Sequence, residues 1–240
     1  MKKAFLFIYQ WIIAIPLLCL LTALTALVTI IGSTVGNSNF WGYYPGKYWS
    51  RIICSFFFIP VKVTGREHIK ADTSYIYVAN HQGAFDIFLL YGYLNHNFKW
   101  MMKPGLRSLP FVGKACEAAG HIYVDNTSPR KVIETMNEAK KRLQNGVSVI
   151  IFPEAERTLD GKMHRFKSGA FQLAKHLDIP IIPLTIEGPY VIMKRHTYNV
   201  HPHPMKLTIH PAIYLNKESE HPERDLRDQA YQSIASGLKE

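Results

Sequence analysis

The residues best suited to chemistry are a histidine and an aspartate that follow a short apolar stretch. His81 and Asp86 lie in the segment 80–86 (NHQGAFD), directly after the apolar residues 75–79. When a carboxylate binds one ring nitrogen of a histidine, the other nitrogen is free to take a proton, so the pair could be a general base and its orienting group. On its own, this pattern more often marks ordinary turn and capping residues.

The spacing of the two residues restricts the backbone between them. On a regular helix, five residues turn the chain by about 500°, which would leave the two side chains roughly 140° apart. We therefore expect a bend at Gly83 and place Asp86 in the first turn of the next helix. In the same hypothesis, backbone amides after the bend stabilise the oxyanion of the reaction.

No pattern typical of a protein nucleophile or of a nucleotide site accompanies this pair. The chain contains no G-x-S-x-G, G-x-x-x-x-G-K-[ST] or G-x-G-x-x-G segment. A base without a protein nucleophile suggests that the substrate supplies the attacking group, as a lipid hydroxyl attacking a thioester would. Cys116 could be a reactive thiol, but a small packing residue is the interpretation we favour.

A second polar cluster follows the longest apolar run of the C-terminal part. Residues 147–152 predict a buried strand, and Glu154, Glu156 and Arg157 come just after it. Ligands of α/β proteins bind at the carboxyl ends of strands, and a guanidinium suits phosphate or carboxylate. The alternative is a surface arginine that pairs with Glu154 or Glu156.

Strands that alternate with helices must position these side chains. Apolar patterns predict strands at 61–63, 75–79, 98–102, 122–124, 147–152, 179–186 and 205–213, and helices at 129–145, 168–177 and 223–238. This order predicts an α/β fold, a mixed mostly parallel sheet covered by helices, as a domain at 61–240.

Residues 1–60 are predicted to be a separate, membrane-embedded helical segment. No charged residue occurs from Ala4 to Ile31, and a helix of that length would extend about 42 Å, enough to cross a bilayer. Pro16 would kink or divide it. Lys2 and Lys3 would place its N-terminus on the cytoplasmic side.

The residues after this apolar run leave two arrangements open. Aromatic residues cluster around Lys47 and Arg51, and residues 52–60 are apolar again. Aromatic and cationic residues together suit the headgroup level of a bilayer. The segment is therefore either one span or two helices that enter one leaflet and return.

Charge and cysteine content restrict the possible partners. Lys and Arg number 28 against 18 Asp and Glu, a formal net charge of +10, which suits an anionic membrane surface. The basic residues are dispersed and form no recognisable nucleic-acid module, so we expect no nucleic-acid partner. Three scattered cysteines argue against disulfides and a cysteine-rich zinc site, and residues 201–204 (HPHP) fit a surface loop better than a metal site.

Taken together, these motifs resemble the glycerolipid acyltransferase family that includes 1-acyl-sn-glycerol-3-phosphate acyltransferases. The segment Asn80–Asp86 is similar to the family's H-x-x-x-x-D block. Further segments that resemble its blocks follow in the family's order: 103–113 (KPGLRSLPFVG), 120–125 (GHIYVD), 152–157 (FPEAER) and 181–184 (IIPL). Several ordered blocks are far more specific than any single motif.

The resemblance implies a function and a set of roles. His81 and Asp86 would be catalytic, Lys103 and Arg157 would hold the headgroup, and the block residues Asn80, Gly83 and Glu154 would also bind substrate. The reaction would move a fatty acyl group from acyl-CoA or acyl-carrier protein to a lysolipid, by default 1-acylglycerol-3-phosphate, giving phosphatidic acid for phospholipid biosynthesis. No metal or cofactor is implied, and the enzyme would lie on the cytoplasmic face of the inner or plasma membrane, with membrane lipids as partners.

Two departures from the family pattern keep other substrates open. Asn126 stands where the family has arginine, and Ala155-Glu156-Arg157 replaces G-T-R. A glutamate beside a phosphate is costly unless it points away. Arg130, Lys131 or Lys103 could compensate. The alternatives are an amino-acid-headed or zwitterionic acceptor, a membrane lipid-binding protein without turnover, and a hydrolase that delivers water.

Overall fold

A computed structural model of the protein describes residues 2–238, with side chains from residue 5 onward. Met1, Lys239 and Glu240, which fall within the predicted domain ranges 1–60 and 61–240, lie outside the described residues. The side chains of Lys2 and Lys3 also lie outside, so the orientation inferred from their charge stays a prediction.

The N-terminal part is a set of helices in which a long helical stretch is followed by a shorter helix that packs back along it. Its elements are α1 (Lys2–Tyr9), a π-helical turn (Gln10–Ala14), α2 (Ile15–Val35), α3 (Ser38–Trp41) and α4 (Tyr44–Phe56). The π-helical turn lies just before Pro16, whose missing N–H removes one bond of the α-helical ladder. One helical stretch, Phe5–Val35, is long and apolar enough to cross a membrane by length and composition.

Helix α4 lies antiparallel against α1 and α2. The Tyr9 hydroxyl donates to the carbonyl of Phe56 at 3.0 Å, and the Trp49 indole donates to the Thr22 hydroxyl at 3.2 Å. At the turn, the Trp41 ring packs so closely on α2 that a glycine, Gly32, is required beneath it. Helix α4 therefore returns along α2, and both membrane arrangements stay predictions.

The globular part contains one seven-stranded sheet. Its strands are β1 (Val61–Thr64), β2 (Ile76–Ala79), β3 (Phe98–Met102), β4 (Ile122–Tyr123), β5 (Ser148–Ile151), β6 (Ile181–Glu187) and β7 (Met205–Ile209). The spatial order is β1-β7-β6-β2-β5-β3-β4. Every neighbouring pair is parallel except β6 and β7. The predicted mixed, mostly parallel sheet is confirmed.

Helices cover both faces of this sheet. They are α5 (Phe85–Tyr93), α6 (Val112–Ala118), α7 (Pro129–Arg142), α8 (Gly169–Leu177), α9 (Pro189–Ile192) and α10 (Pro222–Gly237). Alternate residues of β2 enter opposite cores, because successive side chains of a strand point to opposite faces. Tyr77 packs in the core that contains residues of α4 and α5, and Ile76 packs in the core with α7, α8 and α10.

Candidate active site

The carboxyl ends of neighbouring parallel strands bring the predicted polar residues to one edge of the sheet. His81 follows β2 and Arg157 follows β5, and these strands pair with Val78 opposite Ile151. Lys103 directly follows β3, which pairs with the other side of β5. Parallel order therefore assembles residues that are far apart in the chain.

The predicted pair of His81 and Asp86 is formed. Nδ1 of His81 lies 2.7 Å from Oδ2 of Asp86, and the Asp86 side chain is fully buried while that of His81 is 18% exposed. Residues 80–84 lie outside any helix and α5 begins at Phe85, so Asp86 occupies its first turn as expected. The bend that the spacing requires is thus present.

The same carboxylate oxygen also accepts two backbone amides. Gln82 N donates to Asp86 Oδ2 at 2.8 Å and Gly83 N donates at 3.1 Å. These bonds fix the carboxylate and the turn together, which orients the imidazole. The amides of Gln82 and Gly83 are therefore committed to Asp86, and stabilisation of the oxyanion by amides after the bend stays a prediction.

The imidazole is held in place by an aromatic ring. His81 stacks on Phe152 with centroids 4.0 Å apart and an interplanar angle of 12°, and Phe152 in turn stacks on Trp100. Because Nδ1 donates to Asp86, the lone pair is at Nε2. Nε2 has no hydrogen-bond partner among residues 2–238, and it is the atom placed to take a proton.

Glu154 was predicted to bind substrate, and the structure gives it a different position. Its side chain is buried, and its two oxygens accept the backbone amides of His81 at 2.8 Å and His164 at 2.7 Å. Burial raises the pKa of Glu154, partly offset by these bonds. Each oxygen thus accepts one backbone amide, and Glu154 positions the His81 backbone.

Asn80 and Gly83 also serve the backbone and not a ligand. The Asn80 amide accepts from Ile186 N at 2.8 Å and donates to Ile186 O at 2.9 Å, which joins the ends of β2 and β6. At Gly83, a Cβ would lie 2.9 Å from the carbonyl oxygen of Pro189. Substrate binding by Asn80 and Gly83 does not fit this geometry, since the Asn80 amide is paired with Ile186. Gly83 has no side chain, and its N–H donates to Asp86.

The two predicted headgroup cations lie at the edge of the site. Lys103 is exposed, and its Nζ is 3.8 Å from Glu156. Arg157 is half-buried, and no carboxylate of the described residues lies within ion-pair distance of its guanidinium. The alternative in which Arg157 pairs with Glu154 or Glu156 is therefore not observed.

The residues suggested as compensation for Asn126 point elsewhere. Arg130 and Lys131 both pair with Glu134 on α7, at 3.1 and 3.0 Å. The sequence reasoning missed Arg195, whose Nη1 lies 3.1 Å from Glu156 Oε2. No motif marks Arg195, and only the sheet order, which places β6 beside β2, could have indicated it.

Two other sites considered from the sequence, a reactive Cys116 thiol and a metal site, find no support in the described residues. Burial raises the pKa of the Cys116 thiol to about 11, so the thiolate needed for reactivity is scarce near neutral pH. Within residues 2–238, no group of three or more His, Cys, Asp or Glu side chains is placed to hold a metal ion.

Comparison with known proteins identifies the family. The profile of the Acyltransferase family matches residues 60–187. A 1-acyl-sn-glycerol-3-phosphate acyltransferase of Chlamydomonas reinhardtii is 31% identical over 183 residues, 75% of this chain and 54% of that protein. A chloroplastic one of Brassica napus is 28% identical over 210 residues, 83% of this chain and 60% of that protein.

A solved structure supports the fold. The crystal structure of the 1-acyl-sn-glycerophosphate acyltransferase of Thermotoga maritima matches 99% of this chain and 96% of its own, with a TM-score of 0.79 and 24% identity. The chain spans about half the length of the curated relatives it matches. Because the family profile covers more than half of the chain and includes the His81–Asp86 pair and Arg157, this protein belongs to the Acyltransferase family.

Proposed function

We propose that the chain transfers a fatty acyl group from a thioester to the free hydroxyl of a lysolipid, by default 1-acylglycerol-3-phosphate, which becomes phosphatidic acid. The observation that carries this proposal is the 2.7 Å contact of His81 and Asp86 at a strand edge that also holds cations. The printed names of the relatives support the choice of acceptor.

His81 is the general base of the proposed reaction. Its Nε2 takes the proton of the acceptor hydroxyl as that oxygen attacks the thioester carbonyl carbon, and the imidazolium that forms is stabilised by Asp86. The carbon–sulfur bond then breaks, and the imidazolium protonates the leaving thiolate. The products are an ester and a free thiol, and the enzyme returns to its starting protonation state.

Lys103 and Arg157 hold the acceptor phosphate in this proposal. Arg157 follows β5, which pairs with β2, and Lys103 follows β3, which pairs with the other side of β5, so both residues lie on the same edge of the sheet as His81. An arginine can bind two phosphate oxygens at once, which fixes the orientation of the glycerol and not only its position. The acyl donor, acyl-CoA or acyl-carrier protein, is a co-substrate, and we propose no bound cofactor.

The N-terminal helices hold the enzyme on the membrane in which its acceptor lies. Apolar side chains of α2, including Leu20, Leu24 and Ile31, are exposed, and exposed apolar surface of this extent is stable in lipid. The +10 charge of the chain favours an anionic leaflet. We propose attachment to the cytoplasmic face of the inner or plasma membrane.

In the test, the purified protein in detergent is given one of two donors that carry a labelled acyl group, acyl-CoA or acyl-carrier protein. The acceptors are lysophosphatidic acid and an amino-acid-headed lysolipid. Transfer to lysophosphatidic acid supports the proposal. Transfer only to the other acceptor would keep the chemistry and overturn the phosphate assignment. Release of free fatty acid alone would favour a hydrolase. Binding of either lipid without turnover would favour a lipid-binding protein.

A further inference from the structure

An ion-pair chain crosses the acceptor side of the site. Glu156 lies between two cations: its Oε1 is 3.8 Å from Lys103 Nζ and its Oε2 is 3.1 Å from Arg195 Nη1. The Lys103 side chain is 69% exposed and that of Arg195 only 26%. Arg195 is thus the more firmly held of the two.

The backbone around Arg195 ties it to the catalytic turn. Arg195 follows β6 and α9, and β6 is the parallel neighbour of β2 on the side opposite β5. The α9 segment packs directly on Gly83, with the Pro189 and Met193 carbonyl oxygens 2.9 and 3.4 Å from where a Cβ would be. A cation from this segment therefore lies beside the turn that carries His81 and Asp86.

Arg195 also touches the loop of the predicted headgroup arginine. Its Nη1 lies 3.3 Å from the carbonyl oxygen of Arg157. Arg157 itself belongs to the loop whose Thr158 amide donates to the His81 carbonyl at 2.9 Å. Arg157 and Arg195 thus come from two loops that flank His81 and that are joined to each other.

The charges of this group suit a phosphate monoester. Lys103, Arg157 and Arg195 carry three positive charges and Glu156 one negative charge. The hydrogen bond from Arg195 and the charge of Lys103 hold the pKa of Glu156 below its usual range, so the carboxylate is ionised at neutral pH. It reduces the repulsion among the cations, and the remaining charge matches a phosphate dianion.

We propose that Arg195 is a further specificity-determining residue, a third cation for the acceptor phosphate that Glu156 orients from the side. This inference rests on the proposed function. It accounts for the glutamate in the FPEAER segment, because Glu156 points to Arg195 and Lys103 and does not stand unpaired beside a phosphate. It also supplies a cation for the phosphate. Arg130 and Lys131 do not supply one, because both pair with Glu134.

The free donors of Arg195 make this role possible. Nη1 serves Glu156 and the Arg157 carbonyl, whereas Nε and Nη2 have no partner among residues 2–238. A guanidinium has five N–H donors in a planar fork, so Arg195 can keep its tie to Glu156 and still bind phosphate oxygens. A glutamine at this position would keep one side-chain NH₂ donor group but lose the positive charge and the paired N–H donors of the guanidinium.

The test compares Arg195→Gln, Arg195→Lys and Glu156→Gln with wild type in the full chain. Arg224→Gln on α10, an exposed arginine paired with Asp228 at 3.6 Å, is the matched control. Steady-state rates give the KM for lysophosphatidic acid and kcat at saturating thioester. Equilibrium binding of lysophosphatidic acid and of uncharged monoacylglycerol in non-ionic detergent needs no turnover, so it reports on Arg195 even if the proposed reaction fails.

We expect Arg195→Gln to weaken lysophosphatidic acid binding and raise its KM about 10-fold to 100-fold, with kcat changed less, because a hydrogen bond to a charged group is lost. Monoacylglycerol binding should stay as in wild type, Arg195→Lys should recover part of the loss, and Glu156→Gln should have a smaller effect in the same direction. Equal lysophosphatidic acid binding in wild type and Arg195→Gln would overturn the inference. So would an equal loss for both lipids, which would mean that Arg195 only ties the loops together.

Discussion

Nδ1 of His81 lies 2.7 Å from Oδ2 of Asp86 across a bend in the chain. That oxygen also accepts the amides of Gln82 and Gly83, so the bend and the carboxylate hold each other in place. The contact is thus built into the local backbone, and the imidazole is oriented before any substrate arrives. Preorganisation of this kind lowers the cost of reaching the reactive geometry.

Replacing Asp86 by asparagine should slow the chemical step and keep the fold. The amide oxygen can still accept the backbone protons of Gln82 and Gly83, but a neutral group cannot stabilise the imidazolium that forms at His81. We expect kcat to fall about 10²-fold to 10⁴-fold, with little change in acceptor KM. The measurement is the steady-state rate of acyl transfer, with Asp72→Asn, at an exposed position, as control. A raised KM at unchanged kcat would contradict this prediction.

Glu154→Gln should lower both stability and turnover. Glutamine has one acceptor oxygen, so it cannot serve both the His81 and His164 amides, which Glu154 accepts at 2.8 and 2.7 Å. Leaving one buried amide unpaired costs about 1–3 kcal/mol, and displacement of His81 should reduce kcat roughly 10-fold to 100-fold. Thermal unfolding and transfer rates test this prediction.

The exposed Glu117→Gln is the control for that experiment. If Glu154 bound the acceptor directly, as the sequence suggested, the Glu154→Gln variant would instead show a raised acceptor KM with normal thermal stability.

Lys99 should make stability depend on pH. It is buried, its Nζ donates to the carbonyl of Ala119 at 2.8 Å, and burial together with the charge of Arg142 lowers its pKa to about 8. Between about pH 8 and the unfolded value near 10.5, the unfolded chain binds more protons, so this group adds stability as pH rises.

We therefore expect the Tm of wild type, relative to Lys99→Met, to increase from pH 7 to pH 10. The difference between wild type and the exposed Lys140→Met should stay nearly constant over the same range. A constant difference for Lys99→Met would mean that the lysine is not held in a site that disfavours its charge.

The sequence predicted those parts of the site that depend on residues close together in the chain. The apolar runs located the strands, and the spacing of His81 and Asp86 required the bend that is observed. Residues 205–213 were expected to form one strand, but β7 ends at Ile209. Pro211 interrupts the ladder there, and Ile213 makes only an isolated bridge to Ile181.

Roles that depend on contacts between distant loops could not be predicted. Glu154 accepts an amide from His164 only because the chain returns past it after β5. Arg195 meets Glu156 because β6 and β5 flank β2, and no local pattern carries that order. The π-helical turn before Pro16 was likewise expected only as a kink or a break, since one missing N–H does not specify how the helix adjusts.

The most direct test of the central claim is the rate of acyl transfer to lysophosphatidic acid by His81→Gln beside wild type. Acceptor binding is measured separately, and the exposed His176→Gln is the control. We predict a loss of about 10²-fold to 10⁴-fold in kcat, unchanged acceptor binding, and normal activity of the control. Turnover by His81→Gln at the wild-type rate would contradict the assignment of His81 as general base.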